Sequence, residues 1–158
     1  TIPLTIDLIQ APYLEIIDSK QLDDFAVGST ENTVRLTIKN TGKAEAEEVR
    51  VRLIPDVSYP FTYEQLTQYI ASKIEPGQEV SVEFTAEVFD SAVDRDYSIT
   101  TRLESLVGET RYSQDDFFNI KVLEASTIST QQIAFGIVIV ILIVSIIFGV
   151  LGRRKKKR

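Results

Sequence analysis

Every side chain in this protein that could carry out acid–base or covalent work is a carboxylate, a hydroxyl or an amine. The 158 residues include no His and no Cys. Ser–His and Cys–His nucleophile pairs, imidazole or thiolate zinc sites and the usual haem ligands are therefore absent. The 23 acidic residues would suffice in number for a glycosidase-type pair of carboxylates. Nothing in their spacing places two of them in one pocket, so a carboxylate-based enzyme stands only as an outside alternative and no cofactor is expected. The densest acidic segment is the loop carrying Asp90, Asp94 and Asp96. Calcium takes about six to eight oxygen ligands, which makes these three its weak candidates. The loop lacks EF-hand spacing, and Arg95 competes for the same charges, so the competing reading is a solvated acidic loop. Asn32, Asn40 and Asn119 all miss the Asn-x-Ser/Thr pattern, so no N-linked sugar is expected.

Two further groups of residues suggest contact rather than catalysis. Tyr59, Phe61, Tyr63 and Tyr69 gather in the least regular part of the chain. Exposed together they would make a partner-binding patch, since aromatics are enriched at interface centres. The alternative is that they cap the open end of a hydrophobic core. Farther on, Ser145 and Gly149 form a small-xxx-small pair that Gly152 extends, a spacing that lets membrane helices approach closely.

The elements that would position these residues divide the chain sharply. Ile133 to Leu151 is a run of 19 uncharged residues, IAFGIVIVILIVSIIFGVL, in which Ser145 is the one polar side chain. A helix rising about 1.5 Å per residue crosses a hydrocarbon core of about 30 Å with about 20 apolar residues, so 133–151 is predicted as a transmembrane helix. Arg153, Arg154, Lys155, Lys156, Lys157 and Arg158 follow after Gly152. Basic residues beside a membrane end favour the cytoplasm, which places the tail 152–158 inside and everything before residue 133 outside. The charge splits accordingly, −12 before the apolar run and +6 behind it. An acidic ectodomain argues against nucleic-acid binding, which needs a basic surface. The basic tail is read as a topology signal, with attraction to anionic lipid as a secondary effect. Thr1 is not an initiator and the chain has no Met, which is expected of a mature product whose signal peptide has been removed and equally of a sequence trimmed at its start.

Residues 1–124 read as strands almost throughout. Ile2, Leu4, Ile6 and Leu8 alternate with polar or proline positions, the period of a strand with one buried face. Tyr13 to Ile17 follows Ala11-Pro12. Val34, Leu36 and Ile38 alternate up to the turn Asn40-Thr41-Gly42, and Val49, Val51 and Leu53 up to Pro55. Pro76-Gly77 is a strong turn signal, and Val80, Val82, Phe84, Ala86 and Val88 make the longest regular strand. Tyr97 to Leu103 follows, then a pair at Val107 to Tyr112 and Phe117 to Leu123 with Gly108 at the turn. Tyr63 to Ser72 places Leu66, Tyr69 and Ile70 at helical spacing and is expected as a short helix or loop crossing between sheets. About seven or eight short strands at this spacing predict an all-β domain, an antiparallel β-sandwich. The polar, uncharged residues 125–132 form a juxtamembrane linker spanning at most about 28 Å.

The segments Phe25–Gly28, Val34–Gly42, Ala46–Leu53, Ile74–Gln78 and Tyr97–Ile99 resemble archaeal S-layer-like and CARDB-type domains. In those domains an N-x-G turn, a strand of alternating valines and an I-x-P-G-x turn follow one another. The resemblance covers about residues 22–122. It implies an immunoglobulin-like sandwich in an archaeal envelope protein, often anchored, used for adhesion, assembly or as a module of a larger membrane complex. The family pattern holds no catalytic residues to carry over. The resulting expectation is a non-catalytic single-pass cell-membrane protein, its partners the lipid bilayer and other membrane or envelope proteins. No small-molecule substrate is evident. An accessory subunit of a membrane complex is preferred over S-layer attachment or cell-surface adhesion, because the short linker keeps the domain near the membrane and a lone domain gives adhesion little reach.

Overall fold

In the computed structural model, residues 10–125 are described. They fall within one unit, Thr1–Ala125. The expected strand at 2–8, the linker beyond residue 125, the transmembrane segment 133–151 and the basic tail lie outside the described residues. Among those described, no helix is long and apolar enough to cross a membrane.

Alternating hydrophobicity becomes two four-stranded antiparallel sheets. β1 (Leu14–Gln21), β2 (Asn32–Asn40), β6 (Glu79–Val88) and β4 (Phe61–Tyr63) lie in the order β1-β2-β6-β4. The second sheet, in the order β5-β3-β7-β8, contains β5 (Thr67–Ile74), β3 (Ala46–Ile54), β7 (Asp96–Val107) and β8 (Thr110–Lys121). Every second side chain points inward. Val34, Leu36 and Ile38 of β2 and Val82, Phe84, Ala86 and Val88 of β6 form one core layer. Val49, Val51 and Leu53 of β3, Ile99 and Leu103 of β7, and Phe118 and Ile120 of β8 form the other.

Two expectations are corrected. Tyr63 to Ser72 is not a helix or crossing loop: Phe61–Tyr63 pairs with β6, and Thr67–Ile74 pairs with β3 in the register Arg50↔Tyr69 and Val51↔Gln68. A helix there would need a buried apolar stripe, and Leu66 and Tyr69 are exposed. As an edge strand the segment hydrogen-bonds along β3 instead, in keeping with its β-branched and aromatic residues. The second correction concerns the last hairpin. β7 and β8 pair without a break from Asp96↔Lys121 to Val107↔Thr110 around Gly108-Glu109. The polar run Ser113-Gln114-Asp115-Asp116, which falls between the two expected strands, belongs to an edge strand whose first half is largely open to solvent, and Arg102 of β7 holds Asp115 at 2.7 Å across it.

The turn Asn40-Thr41-Gly42 works by packing. Gly42 has no left-handed backbone angle, but a Cβ there would run into Tyr13 N and lie 2.6 Å from Ala11 O, so only glycine lets the chain pass into β1. Gly77, at φ 82°, does need the left-handed region that favours glycine.

Along the opposite side of the sandwich, β1 and β8 run parallel as the edges of the two sheets. A bulge at Ile17 lets Ile16 N donate to Asp116 Oδ2 at 2.8 Å. Farther along, the Gln21 side-chain amide stands in for a strand: its Nε2 donates to Lys121 O at 2.9 Å, and Lys121 N donates to its Oε1 at 3.0 Å. Parallel pairing then continues, with Ala26 bridged to Leu123, Leu123 N donating to Phe25 O and Val27 N donating to Leu123 O.

The inward face of β7 contains one flaw. Thr101, fully buried between Ile99 and Leu103, has a hydroxyl without a partner among the described residues. Removing an unsatisfied buried hydroxyl recovers its desolvation cost, about 1 kcal/mol. Thr101→Val is therefore expected to raise the midpoint of thermal unfolding by roughly 4 °C. An unchanged or lower midpoint would mean that the hydroxyl has found a water.

Candidate functional site

The strand directions give the sandwich two poles. The far pole carries the start of β1 and the connections 41–45, 75–78 and 108–109. The exit pole carries the connections 22–31, 55–60 and 89–95, and the last described residues, 122–125, leave from it.

The exit pole is tied together from beneath. Phe89 N donates to Pro60 O at 2.9 Å, Val88 N to Ser29 O at 2.9 Å and Val122 N to Arg95 O at 3.0 Å. Under these bonds lies an aromatic floor. Tyr97 packs edge-on against Tyr59 and Phe61 at 5.3 and 5.1 Å, and Phe61 lies 6.1 Å from Tyr63. The Arg95 guanidinium sits 4.4 Å over the Tyr97 ring. The Tyr97 hydroxyl donates to Val93 O and accepts from Val93 N, at 3.2 and 3.1 Å.

Of the four aromatic residues proposed as a patch, the structure brings three together and sends one elsewhere. Phe61 is buried, and Tyr59 and Tyr63 are half-buried against the core, so these three close the end of the sandwich. Burial pushes the Tyr63 phenol well above its ordinary pKa. Tyr69 stands exposed on β5, apart from them.

The exposed apolar side chains of this pole are different residues. Val57 is wholly in solvent, Val93 is 62% exposed and Phe89 44%, with Leu22 and Ile54 partly open beside them. The far-pole connections expose one large apolar side chain among the described residues, Tyr13. Each of four exit-pole side chains stands next to an aspartate in the chain: Leu22-Asp23, Asp56-Val57, Phe89-Asp90 and Val93-Asp94. Asp56 shows how such a tip is built. Its Oδ1 accepts from both the amide and the hydroxyl of Ser58, at 2.8 and 2.7 Å, a local turn that lifts Val57 outward. These two bonds hold the Asp56 carboxyl below its usual range. A signal for Phe89 was present in the alternation of β6, since Val80 to Val88 points inward on even positions and residue 89 falls on the outward phase.

The charge of the two poles differs as well. The exit-pole connections contain Asp23, Asp24, Glu31, Asp56, Asp90, Asp94 and Glu124 against one cation, Arg95. The ion pairs among the described residues are Arg35–Glu83, Lys39–Glu79, Arg50–Glu48, Lys73–Glu45 and Arg102–Asp115, and none involves an exit-pole acid. The described residues hold no group of three or more His, Cys, Asp or Glu side chains that could share a metal ion, and Asp90, Asp94 and Asp96 are not brought together as one. A cleft of about 280 Å³ beside β4 is lined by Glu31, Thr62, Glu64, Thr85, Ala86 and Glu87. Ser145, Gly149, Gly152 and Arg153 to Arg158 lie outside the described residues. The geometry that remains is an acidic, apolar-tipped surface over an aromatic floor.

Comparison with known proteins fixes the class first. A solved structure of native alpha-2-macroglobulin from Escherichia coli, spanning domain MG7 to the C-terminus, matches 73% of this chain and 17% of its own, with a TM-score of 0.51 and 18% identity. That likeness is one of fold, an immunoglobulin-like β-sandwich. The chain belongs to the family described as Domain of unknown function DUF8453, which matches residues 12–124. It is also 28% identical over 150 residues to Uncharacterized protein MJ1561 of Methanocaldococcus jannaschii. That match covers 92% of this chain and 26% of the relative, so the chain spans about a quarter of the relative's length.

Proposed function

We propose that this protein is a non-catalytic, single-pass membrane protein of an archaeal cell envelope, whose outward sandwich binds protein partners as an accessory subunit of a larger membrane complex. The observation that carries this reading is the concentration of exposed apolar side chains at the pole from which the chain leaves toward residues 133–151. An adhesin or S-layer attachment protein would need its contact surface at the far pole, where Tyr13 stands alone among the large apolar side chains of the connections. Two features of the comparisons support the reading. The relative is archaeal, and a match to 92% of 158 residues leaves about a dozen outside it and so runs into the apolar stretch. The CARDB-like turn pattern adds a non-catalytic module as precedent.

Purification of the full-length chain from its native membranes in mild detergent, followed by native sizing and mass spectrometry, tests the proposal. Stoichiometric co-migration with a polytopic membrane protein is the expected outcome. A lone monomer or homo-oligomer, or association with envelope-lattice proteins only, would sink it.

A further inference from the structure

Resting on that reading, we infer that the exit pole is the docking face and that its occupant is an extracytoplasmic loop surface of an integral membrane protein, apolar at the centre and rimmed by Lys and Arg. Three observations on the molecule select this occupant.

The first is reach. The sandwich ends at Ala125, and the uncharged apolar run starts at Ile133. The residues between can extend at most about 28 Å, so this pole is held within a short distance of whatever the apolar run is embedded in.

The second is the pairing of apolar tip with acid. Leu22, Val57, Phe89 and Val93 each have an adjacent aspartate. Tips that entered a lipid leaflet would carry Asp23, Asp56, Asp90 and Asp94 to the headgroups with them, and carboxylates are costly in hydrocarbon and repelled by anionic lipid. A protein surface with apolar pockets between basic side chains accepts tip and acid together. The same charge argues against a second copy, because two such poles would meet acid to acid.

The third is pre-organisation. The aromatic floor, the Tyr97–Val93 bonds and the Pro60–Phe89 bond fix the loops that bear Val57, Phe89 and Val93. Docking then orders little that is not already ordered, which keeps its entropic cost small. The one local cation, Arg95, is turned onto the Tyr97 ring, leaving the rim acidic.

A photo-reactive residue placed at Val57, at Val93 and, as the far-pole control, at Tyr13 of the full-length chain in its native membranes tests the inference. Adducts are expected at 57 and 93 but not at 13. They should join one integral membrane protein, and peptide mapping should place them in an external loop with an excess of Lys and Arg. Reversing the rim with Asp90→Lys and Asp94→Lys together, which leaves the Asp56–Ser58 turn intact, is expected to lower adduct yield about tenfold or more, since like charges at a contact are strongly repulsive, while the circular dichroism of the domain stays unchanged. Adducts with lipid alone, adducts with a second copy, equal yield at Tyr13, or no adduct at any position would overturn the docking face. Co-purification separates the two proposals: a stoichiometric membrane partner that cross-links only away from this pole removes the docking face alone, whereas no membrane partner removes both.

Discussion

Replacing Asn40 with alanine is expected to lower the thermal midpoint of the sandwich by at least about 10 °C, the result of losing roughly 3 kcal/mol. The side chain is fully buried, and all of its hydrogen-bonding capacity is used. Its Oδ1 accepts from Tyr13 N at 3.3 Å and Gly42 N at 3.0 Å. Its Nδ2 donates to Ala44 O at 2.8 Å and Ile74 O at 3.0 Å. One amide therefore joins the approach to β1, the turn after β2, the approach to β3 and the end of β5. Alanine leaves four main-chain groups short of a partner, three of them only part-buried, and together these losses cost roughly 3 kcal/mol. Asn40→Asp sharpens the test. The carboxylate keeps the two acceptor bonds but faces two carbonyl oxygens with no proton to give, so its folded-state pKa is raised above the ordinary Asp value of about 3.9. Stability relative to the parent should then recover as pH falls toward that value and fall away as pH rises above it. Thermal melts of both variants across pH provide the measurement. A midpoint within a degree or two of the parent for Asn40→Ala would show that the pole does not depend on this amide.

Phe25→Ala is expected to cost a further-reaching 3–5 kcal/mol, the usual range of about that size for emptying a buried phenylalanine site. Phe25 is completely buried although it lies on the long connection between β1 and β2. Its own carbonyl accepts from Leu123 N, at 2.9 Å, and two residues on Val27 N donates to Leu123 O at 3.0 Å. The ring thus fixes the stretch against which the end of the domain is paired. Hydrogen exchange separates this role from bulk stability. In the variant, the amides of Val27 and Leu123 should lose protection well before those of β2 and β6. Phe84→Ala, which empties a site in the middle of β6, should lower the midpoint comparably and leave that order intact. Equal protection of Leu123 in the two variants would refute the local role.

Where one face of a strand is buried, the sequence alone was enough. β2, β3, β6 and β7 each bury alternate residues, and period two is a direct consequence of the pleat, so Val34–Ile38, Val49–Leu53, Val80–Val88 and Tyr97–Leu103 were all visible. Edge strands weaken that link. β5 exposes Tyr69, and β8 keeps Ser113 to Asp116 near solvent, so hydrophobic alternation fades while main-chain pairing continues. Gly42 was visible as a turn residue, yet the reason for it, the passage of Ala11 to Tyr13 close above it, depends on a contact about 30 residues away in sequence. The site followed the same rule in reverse. The clustered aromatics Tyr59, Phe61 and Tyr63 form the floor, while the exposed tips Val57, Phe89 and Val93 are isolated in sequence and are grouped only because two connections, 55–60 and 89–95, meet at one pole.

The side-chain amide of Gln21 and the paired stretch Phe25–Val27 bear on how the domain would take a pull. A pull applied to the end of the described chain in the direction of β8 would load both flanks of that strand. On one flank of that strand lie its parallel neighbours, held by the two Gln21–Lys121 bonds and the Phe25–Leu123 and Val27–Leu123 bonds. On the other flank lies the full register with β7. Bonds that lie across the direction of force are loaded together in shear, whereas the ends of a hairpin pulled apart yield one at a time. The end of the domain would therefore resist a pull along β8 in shear, with the bonds on both flanks loaded at once.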